Sequence, residues 1–251
     1  MQSVSRSASI LRALASSPPE GARLSDIAPR CQLDKSTTLR ILEALTAQGF
    51  VSRDDDSKRF RLGIDLVFLG WSAARNFAIQ EVARPALDLL ATTTGDTAYL
   101  TLRSGYESVC ADRVLGSYPI KTTTIDVGNR RLLGVGAGSL ALLAGLPKEQ
   151  SDAILAHNEP LLAATFSGVT ADGLRSGVQS ARQQGHSFTR SHVVPDVWGV
   201  GRWIRDPHGN TVGAVSMAAV SGRFANQRSD YLVSAVEMAA SQIEAALCAA
   251  A

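Results

Sequence analysis

Apolar positions in the first fifteen residues recur at three- and four-residue steps: Val4, Ala8, Leu11, Leu14 and Ala15. That spacing predicts an amphipathic helix over residues 4–15, capped by Ser3 and stopped by Pro18-Pro19. A second short helix starts at Ser25, its cap, and runs towards Cys31, with Pro29 as its ill-fitting residue. After a turn at Gln32-Leu33, Asp34 caps a third helix over residues 35–48, closed by Gly49. Short helix, tight turn and longer helix in that order predict a helix-turn-helix. Phe50-Val51-Ser52-Arg53 and residues 58–63 then flank the turn Asp54-Asp55-Asp56-Ser57 and predict a β-hairpin, a wing beside the helices.

Beyond residue 63 the pattern changes. Ile64, Leu66, Val67, Leu69, Gly70 and Trp71 continue helically to about Asn76. This linker is more apolar than an exposed connector requires, so it is expected to bury one face against a second copy of the chain. A helix over 79–93 turns Val82, Leu87 and Leu90 inward. Strands are expected at 96–103, 107–114 and 120–125, and helices at 139–145, 148–156 and 171–184. Val197–Arg205 and Thr211–Val220 flank Asp206-Pro207-His208-Gly209-Asn210, a strong hairpin turn. A final helix over 228–248 aligns Leu232, Val236, Ala239, Ile243 and Leu247. Consecutive hairpins with helices gathered to one side describe an α+β domain on an antiparallel sheet. The expected organisation is therefore a small module over 1–63, a linker helix over 64–78 and a larger domain over 79–251.

Composition bounds the chemistry. The 251 residues are 45% hydrophobic and 19% charged, ordinary for a globular chain. No uninterrupted apolar run reaches the roughly 20 residues of a membrane span, and the first fifteen residues lack a signal-peptide core, which fits the cytoplasm. Cys31, Cys110 and Cys248 lie far apart, so neither a disulfide framework nor a thiolate zinc site is expected. The net charge of +2 is unevenly spread. Residues 1–63 carry ten Lys and Arg against seven Asp and Glu; the rest carries fifteen against sixteen. A basic module attached to a near-neutral one suits a polyanionic partner.

On a wheel at about 100° per residue, the third helix groups Thr38, Ile41, Leu42 and Leu45 inward. Ser36 and Arg40 face outward, flanked by Thr37 and Glu43. Short hydroxyls and a guanidinium near an outward N-terminal half suit base and phosphate contacts in a DNA groove. Lys35, Ser36 and Thr37 also sit where helical N–H groups are free for a phosphate. Arg53, Lys58, Arg59 and Arg61 give the hairpin a basic surface. The competing interpretation is a solvated, charged hairpin on a purely structural three-helix module.

Leu24-Ser25-Asp26-Ile27-Ala28, Lys35-Ser36-Thr37-Thr38-Leu39-Arg40, Gly49-Phe50-Val51 and Arg59-Phe60-Arg61-Leu62-Gly63 together resemble the IclR-type family of bacterial transcriptional regulators. The resemblance continues through Asp112-Arg113-Val114, Ala141-Leu142-Leu143-Ala144 and Val212-Gly213-Ala214-Val215-Ser216, and so covers nearly the whole chain. It implies a winged helix-turn-helix, a linker helix and a C-terminal GAF/PAS-like domain that holds a small organic acid. The sequence departs from the family pattern at Pro195-Asp196-Val197-Trp198-Gly199-Val200 and at Ser216-Met217-Ala218, which keeps one hydroxyl.

Gly134-Val135-Gly136-Ala137-Gly138-Ser139 opens the helix at 139–145. Such a loop offers N–H donors to a carboxylate, or simply lets a helix pack closely. Leu133, Val200 and Trp198 or Trp203 are candidates to enclose an apolar ligand body, His192 or Asp196 to meet a ring hydroxyl, and Ser216 to add its own. His186 and His192, six apart, would share a face of a strand, but no third metal ligand accompanies them. Cys110 has the character of an inert packed thiol. The sequence therefore describes a regulator that binds double-stranded DNA at an inverted repeat, as a homodimer or dimer of dimers. Its affinity would be controlled by a small, aromatic organic acid, without cofactor, metal or catalytic residue. Two alternatives stay open: an enzyme on a GAF-like domain, and a constitutive DNA-binding protein whose second domain only assembles subunits.

Overall fold

The computed structural model describes residues 2–74, 79–166, 168–225 and 228–250. The chain divides into two compact units, residues 1–78 and 79–251. Residues 75–78, at the end of the expected linker helix, lie outside the described residues.

In the first unit, α1 (Gln2–Ala15), α2 (Leu24–Arg30) and α3 (Lys35–Ala47) pack around Ile10, Leu14, Ile27, Leu42 and Leu45. The hairpin of β1 (Val51–Arg53) and β2 (Phe60–Leu62) closes that core with Val51 and Phe60, the residues its alternation turns inward. Two expected caps are displaced. Ser3 lies inside α1, and Ser25 lies in the first turn of α2, because Asp26 reaches back to the Arg23 backbone N–H at 3.1 Å. Asp34 does cap α3, accepting from the Thr37 N–H at 2.8 Å. Gly49 follows α3 at φ 72°, where a Cβ would stand 2.2 Å from the Asp65 carboxylate. Asp65 opens α4 (Asp65–Ala74), whose Val67, Phe68, Leu69 and Trp71 are all exposed, Trp71 at 65%.

Among the described residues, the second unit is built on a six-stranded antiparallel sheet in the order β5-β4-β3-β8-β7-β6. The strands are β3 (Thr97–Ser104), β4 (Glu107–Val114), β5 (Arg130–Leu132), β6 (Ser187–Arg190), β7 (Val197–Arg205) and β8 (Thr211–Val220). Helices cover both faces instead of gathering to one. α5 (Ile79–Thr94) and α9 (Arg228–Ala249) pack Leu87, Leu90, Val236 and Ile243 on Leu100, Ile204, Val215 and Met217. α6 (Ala137–Gly145), α7 (Lys148–Thr165) and α8 (Ala171–Gln184) bury Leu140, Leu142, Ile154 and Leu174 with Trp203 and Ala214. The near-continuous burial along β8 carries this two-sidedness, since a strand covered on both faces loses its polar alternation. By length and composition α9 is also a helix that could cross a membrane; here its apolar stripe lies on the sheet.

Residues 120–125 are not a strand. The Thr122 hydroxyl donates to the Ala218 carbonyl at 2.5 Å, and Tyr99 donates to the Thr122 carbonyl, so the segment is fastened across the strands by side chains. Its β-branched run, Thr122-Thr123-Thr124-Ile125, reflects half-burial without a ladder. The third strand of this meander is the short β5, and β6 is an element the periodicity did not indicate.

Candidate DNA-binding surface and ligand cavity

The outward half of α3 carries Lys35, Ser36 and Arg40 exposed, with Thr37 half-buried and Thr38 and Leu42 wholly buried beneath them. Asp34 takes up part of this end. Its carboxylate accepts from the Ser36 hydroxyl at 2.6 Å and the Thr37 N–H at 2.8 Å, bonds that hold it well below the usual carboxylate range. The N–H groups left for a phosphate are therefore those of Lys35 and Ser36, not all three.

The hairpin's basic groups divide in two. Arg59 is half-buried and donates to the Gly21 carbonyl at 2.7 Å, while Arg61 donates to the Glu20 carbonyl at 3.1 Å. Both brace the hairpin against the loop before α2, which also pairs Ala22 with Phe60. Arg53 lies over the Phe60 ring at 5.5 Å, and Lys58 stands exposed in the turn. The wing is thus held in place by two of the arginines expected to touch DNA.

In the second unit, a cavity of about 70 Å³ opens over the sheet face between β3, β4, β8 and the start of α6. Of the residues expected there, Val135, Gly136, Ala137, His192, Trp198 and Ser216 line it. Five do not. Leu133 is fully buried in the α6–α8 core, and Gly134 turns the same way, towards Leu143 and Leu174. Val200 is fully buried on the opposite face, which alternation along β7 makes it share with the Trp198 ring, while the intervening Gly199 turns to the cavity. Trp203 is packed against Gly145 at the far end of α6. Asp196 is exposed at a left-handed position, φ 57°.

Small residues make the cavity's floor. A Cβ on Gly138 would stand 2.6 Å from the Thr101 hydroxyl and 2.7 Å from that of Ser216, so α6 begins directly on two strand hydroxyls. Close packing therefore accounts for Gly138. It does not account for the whole loop, because the N–H groups of Ala137, Gly138 and Ser139 have no helical carbonyl to meet. The N–H groups of Gly134 and Val135 are occupied by Ser139 Oγ and the Leu132 carbonyl.

Sequence reasoning missed Tyr99, Thr101, Cys110, Arg131 and Thr189, which also line it. Arg131 sits on the edge strand β5, where its neighbour Arg130 faces out to Glu107 at 2.8 Å and alternation turns Arg131 inward. Burial lowers its pKa. Burial also pushes the Cys110 thiol up to about 11, raises the Tyr99 phenol and lowers the His192 imidazole, so these three face the cavity uncharged. His186 is 3.4 Å from Glu237 on α9, away from the cavity, since Ser191 at φ 53° breaks the strand between the two histidines. Among the described residues, no cluster of three metal-ligating side chains is found.

Residues 3–55 match the IclR helix-turn-helix domain, and residues 71–245 match the C-terminal domain of bacterial IclR transcriptional regulators. The HTH-type transcriptional regulator KipR of Bacillus subtilis is 24% identical over 88% of this chain and 87% of its own. The HTH-type transcriptional repressor AllR of Escherichia coli K12 is 26% identical over 90% of this chain and 83% of its own. An IclR regulator from Alicyclobacillus acidocaldarius superposes with a TM-score of 0.80 at 23% identity, covering 98% of this chain and 99% of that one. An IclR homologue from Microbacterium hydrocarbonoxydans, solved with 4-hydroxybenzoate, gives 0.78 at 22% identity, with coverage of 98% and 99%. With both of its units matched in order, the chain belongs to the IclR family of bacterial transcriptional regulators.

Proposed function

We propose that this regulator binds double-stranded DNA at an inverted-repeat operator and that a small organic acid in the C-terminal cavity sets its affinity for that operator. The observation that carries the reading is the pairing of an exposed, cationic helix start at Lys35 and Arg40 with a cavity lined by Arg131 and several hydroxyls in the same chain. Recognition would run through Arg40 to a base edge and through Lys35, Ser36, Thr37 and the hairpin's Arg53 and Lys58 to phosphates, with Arg59 and Arg61 chiefly positioning the hairpin. The relative solved with 4-hydroxybenzoate supports an acid as effector. An aromatic body gains less from this chain, since the Trp198 ring is engaged with Phe188 and Phe224, both within 6 Å. The cytoplasm is where such a protein meets its operator.

One helix-turn-helix reads few base pairs, so two copies are needed. The apolar face of α4, with Phe68, Leu69 and Trp71 exposed, is the proposed contact, with Leu66 half-buried at its side. The relatives' names support a regulator without catalytic residues over an enzyme. The deciding experiment selects binding sites from random duplex DNA and then measures operator affinity across a panel of organic acids. A twofold-symmetric site whose affinity shifts with one acid supports the reading. A symmetric site indifferent to every acid would leave a constitutive DNA-binding protein. A monomer in sedimentation that binds a single half-site tightly would remove the α4 contact.

A further inference from the structure

Arg131 is a cation without a counter-ion. Among the described residues its guanidinium makes one hydrogen bond, to the Thr124 carbonyl, and no carboxylate lies within ion-pair distance. A guanidinium carries five N–H donors in a rigid fork suited to a carboxylate. The rest of that fork opens onto the cavity, and one nitrogen would stand 3.6 Å from a Cβ on Gly136, at the start of α6. Nothing inside the cavity offsets the charge, because Tyr99, Cys110 and His192 are all neutral there. The positive end of α6 points into the same space.

Away from Arg131, the hydroxyls of Thr101, Thr189 and Ser216 border the cavity. Thr101 and Ser216 meet at Gly138, and Thr189 would be 3.4 Å from a Cβ on Gly199, across from Ala137. The hydrogen bonds described for the second unit do not use these three hydroxyl groups. The His192 Nδ1 is buried without a partner in the same wall. The cation beside Gly136 and the unbonded hydroxyls beside Gly138 and Gly199 border one cavity and together define the ligand's shape. An apolar cavity of roughly 150 Å³ admits benzene, whereas this one measures about 70 Å³.

Resting on the proposal that an organic acid is the effector, we infer that Arg131 is the counter-ion of its carboxylate. Thr101, Thr189 and Ser216 receive further oxygens of the same molecule. The ligand is then a compact, oxygenated monocarboxylic acid, smaller than an aromatic one.

The test titrates full-length protein by calorimetry with glycerate, pyruvate, lactate and 4-hydroxybenzoate, and with methyl glycerate and glycerol as uncharged counterparts. Arg131→Gln keeps a donor for the Thr124 carbonyl and drops the charge; Arg131→Lys restores the charge. The expected result is binding of at least one of the three oxygenated aliphatic acids, weakened about thirty-fold or more in Arg131→Gln, and partly recovered in Arg131→Lys. Ser216→Ala should weaken the same acid by a few-fold. Equal affinity in wild type and a folded Arg131→Gln would overturn the inference and leave the organic-acid reading standing. Should Arg131→Gln fail to fold, the ester decides: methyl glycerate binding wild type as tightly as glycerate removes the counter-ion. Tighter binding of 4-hydroxybenzoate than of every aliphatic acid would overturn the compact class. Binding of none of the acids would sink the organic-acid reading itself, and the inference with it.

Discussion

The two units put their functional groups on opposite sides of their cores. In the first, Ile10, Ile27 and Leu42 fill the centre completely, and the polar groups stand outside on α3 and the hairpin. In the second, one face of the sheet is packed solid against α5 and α9, while the other is hollowed by Gly138, Gly199 and Ser216 so that polar groups turn inward. The difference follows the size of the partner. A DNA duplex is too large to enclose, so it must be met by a rigid convex surface whose side chains reach out. A small acid is held by surrounding it, which requires that small residues give up packing at one place in a core. On the proposed function, rigidity in the first unit and a tolerated void in the second serve the same end, recognition.

The largest expected effect tests whether the solid core of the first unit is separate from the second. Leu42→Ala removes a fully buried side chain and should cost about 2–5 kcal/mol of stability in the first unit. Operator binding should fail at temperatures where the wild type still binds, with acid affinity unchanged within twofold. An equal loss of acid binding would show that the two units fold as one, and the comparison would break.

Next in size is the outward surface itself. Arg40→Ala should lower operator affinity by about 1–3 kcal/mol and relax the preference at one base pair. Stability and acid binding should not move, because Arg40 is exposed. A uniform loss over all sequences would reassign Arg40 to a phosphate.

The same contrast explains which features the sequence disclosed. The α3 surface lies within six consecutive residues, so one periodicity fixes what is buried and what faces out. The cavity draws on β3, β4, β5, α6, β6, β7 and β8, and no local pattern says that Arg131 and Thr101 border one space. Val200 and Trp203 were misplaced because β7 is apolar on both faces, so alternation gave no hint of which side was hollow. Residues 120–125 carry a strand's composition, yet their partners are the Tyr99 phenol and the Ala218 carbonyl, reached through the Thr122 backbone and side chain. Arg131 was legible in one respect only: two adjacent arginines on a strand must face opposite ways, and only Arg130 had an acid within reach.

A smaller effect probes the edge between core and surface. Asp34→Ala removes the cap of α3 and should lower its stability. Because the folded-state pKa of Asp34 is lowered, its contribution is present above the ordinary value of 3.8 and fades as pH falls through and below it. The difference in urea midpoint between wild type and Asp34→Ala should therefore be large at pH 7 and shrink below pH 4. A constant difference across that range would mean the carboxylate's charge plays no part in the cap.

The smallest effect concerns the hollow side. Burial lowers the His192 pKa from 6.5, with Arg131 lining the same cavity and adding no charge that would favour an imidazolium. The unfolded chain then binds a proton that the folded chain refuses. Stability contributed by the neutral ring is full above pH 6.5 and is lost as pH falls below it, towards the lowered folded-state value. His192→Gln should flatten that decline by a few tenths of a kcal/mol between pH 7.5 and 5.5. A carboxylate placed in the cavity reverses the sign for His192, since an adjacent anion favours the charged ring. The histidine's titration, followed by NMR, should accordingly move to higher pH when a binding acid is added. A titration that stays put with acid bound would place the carboxylate out of reach of His192, at the far end of the cavity or outside it.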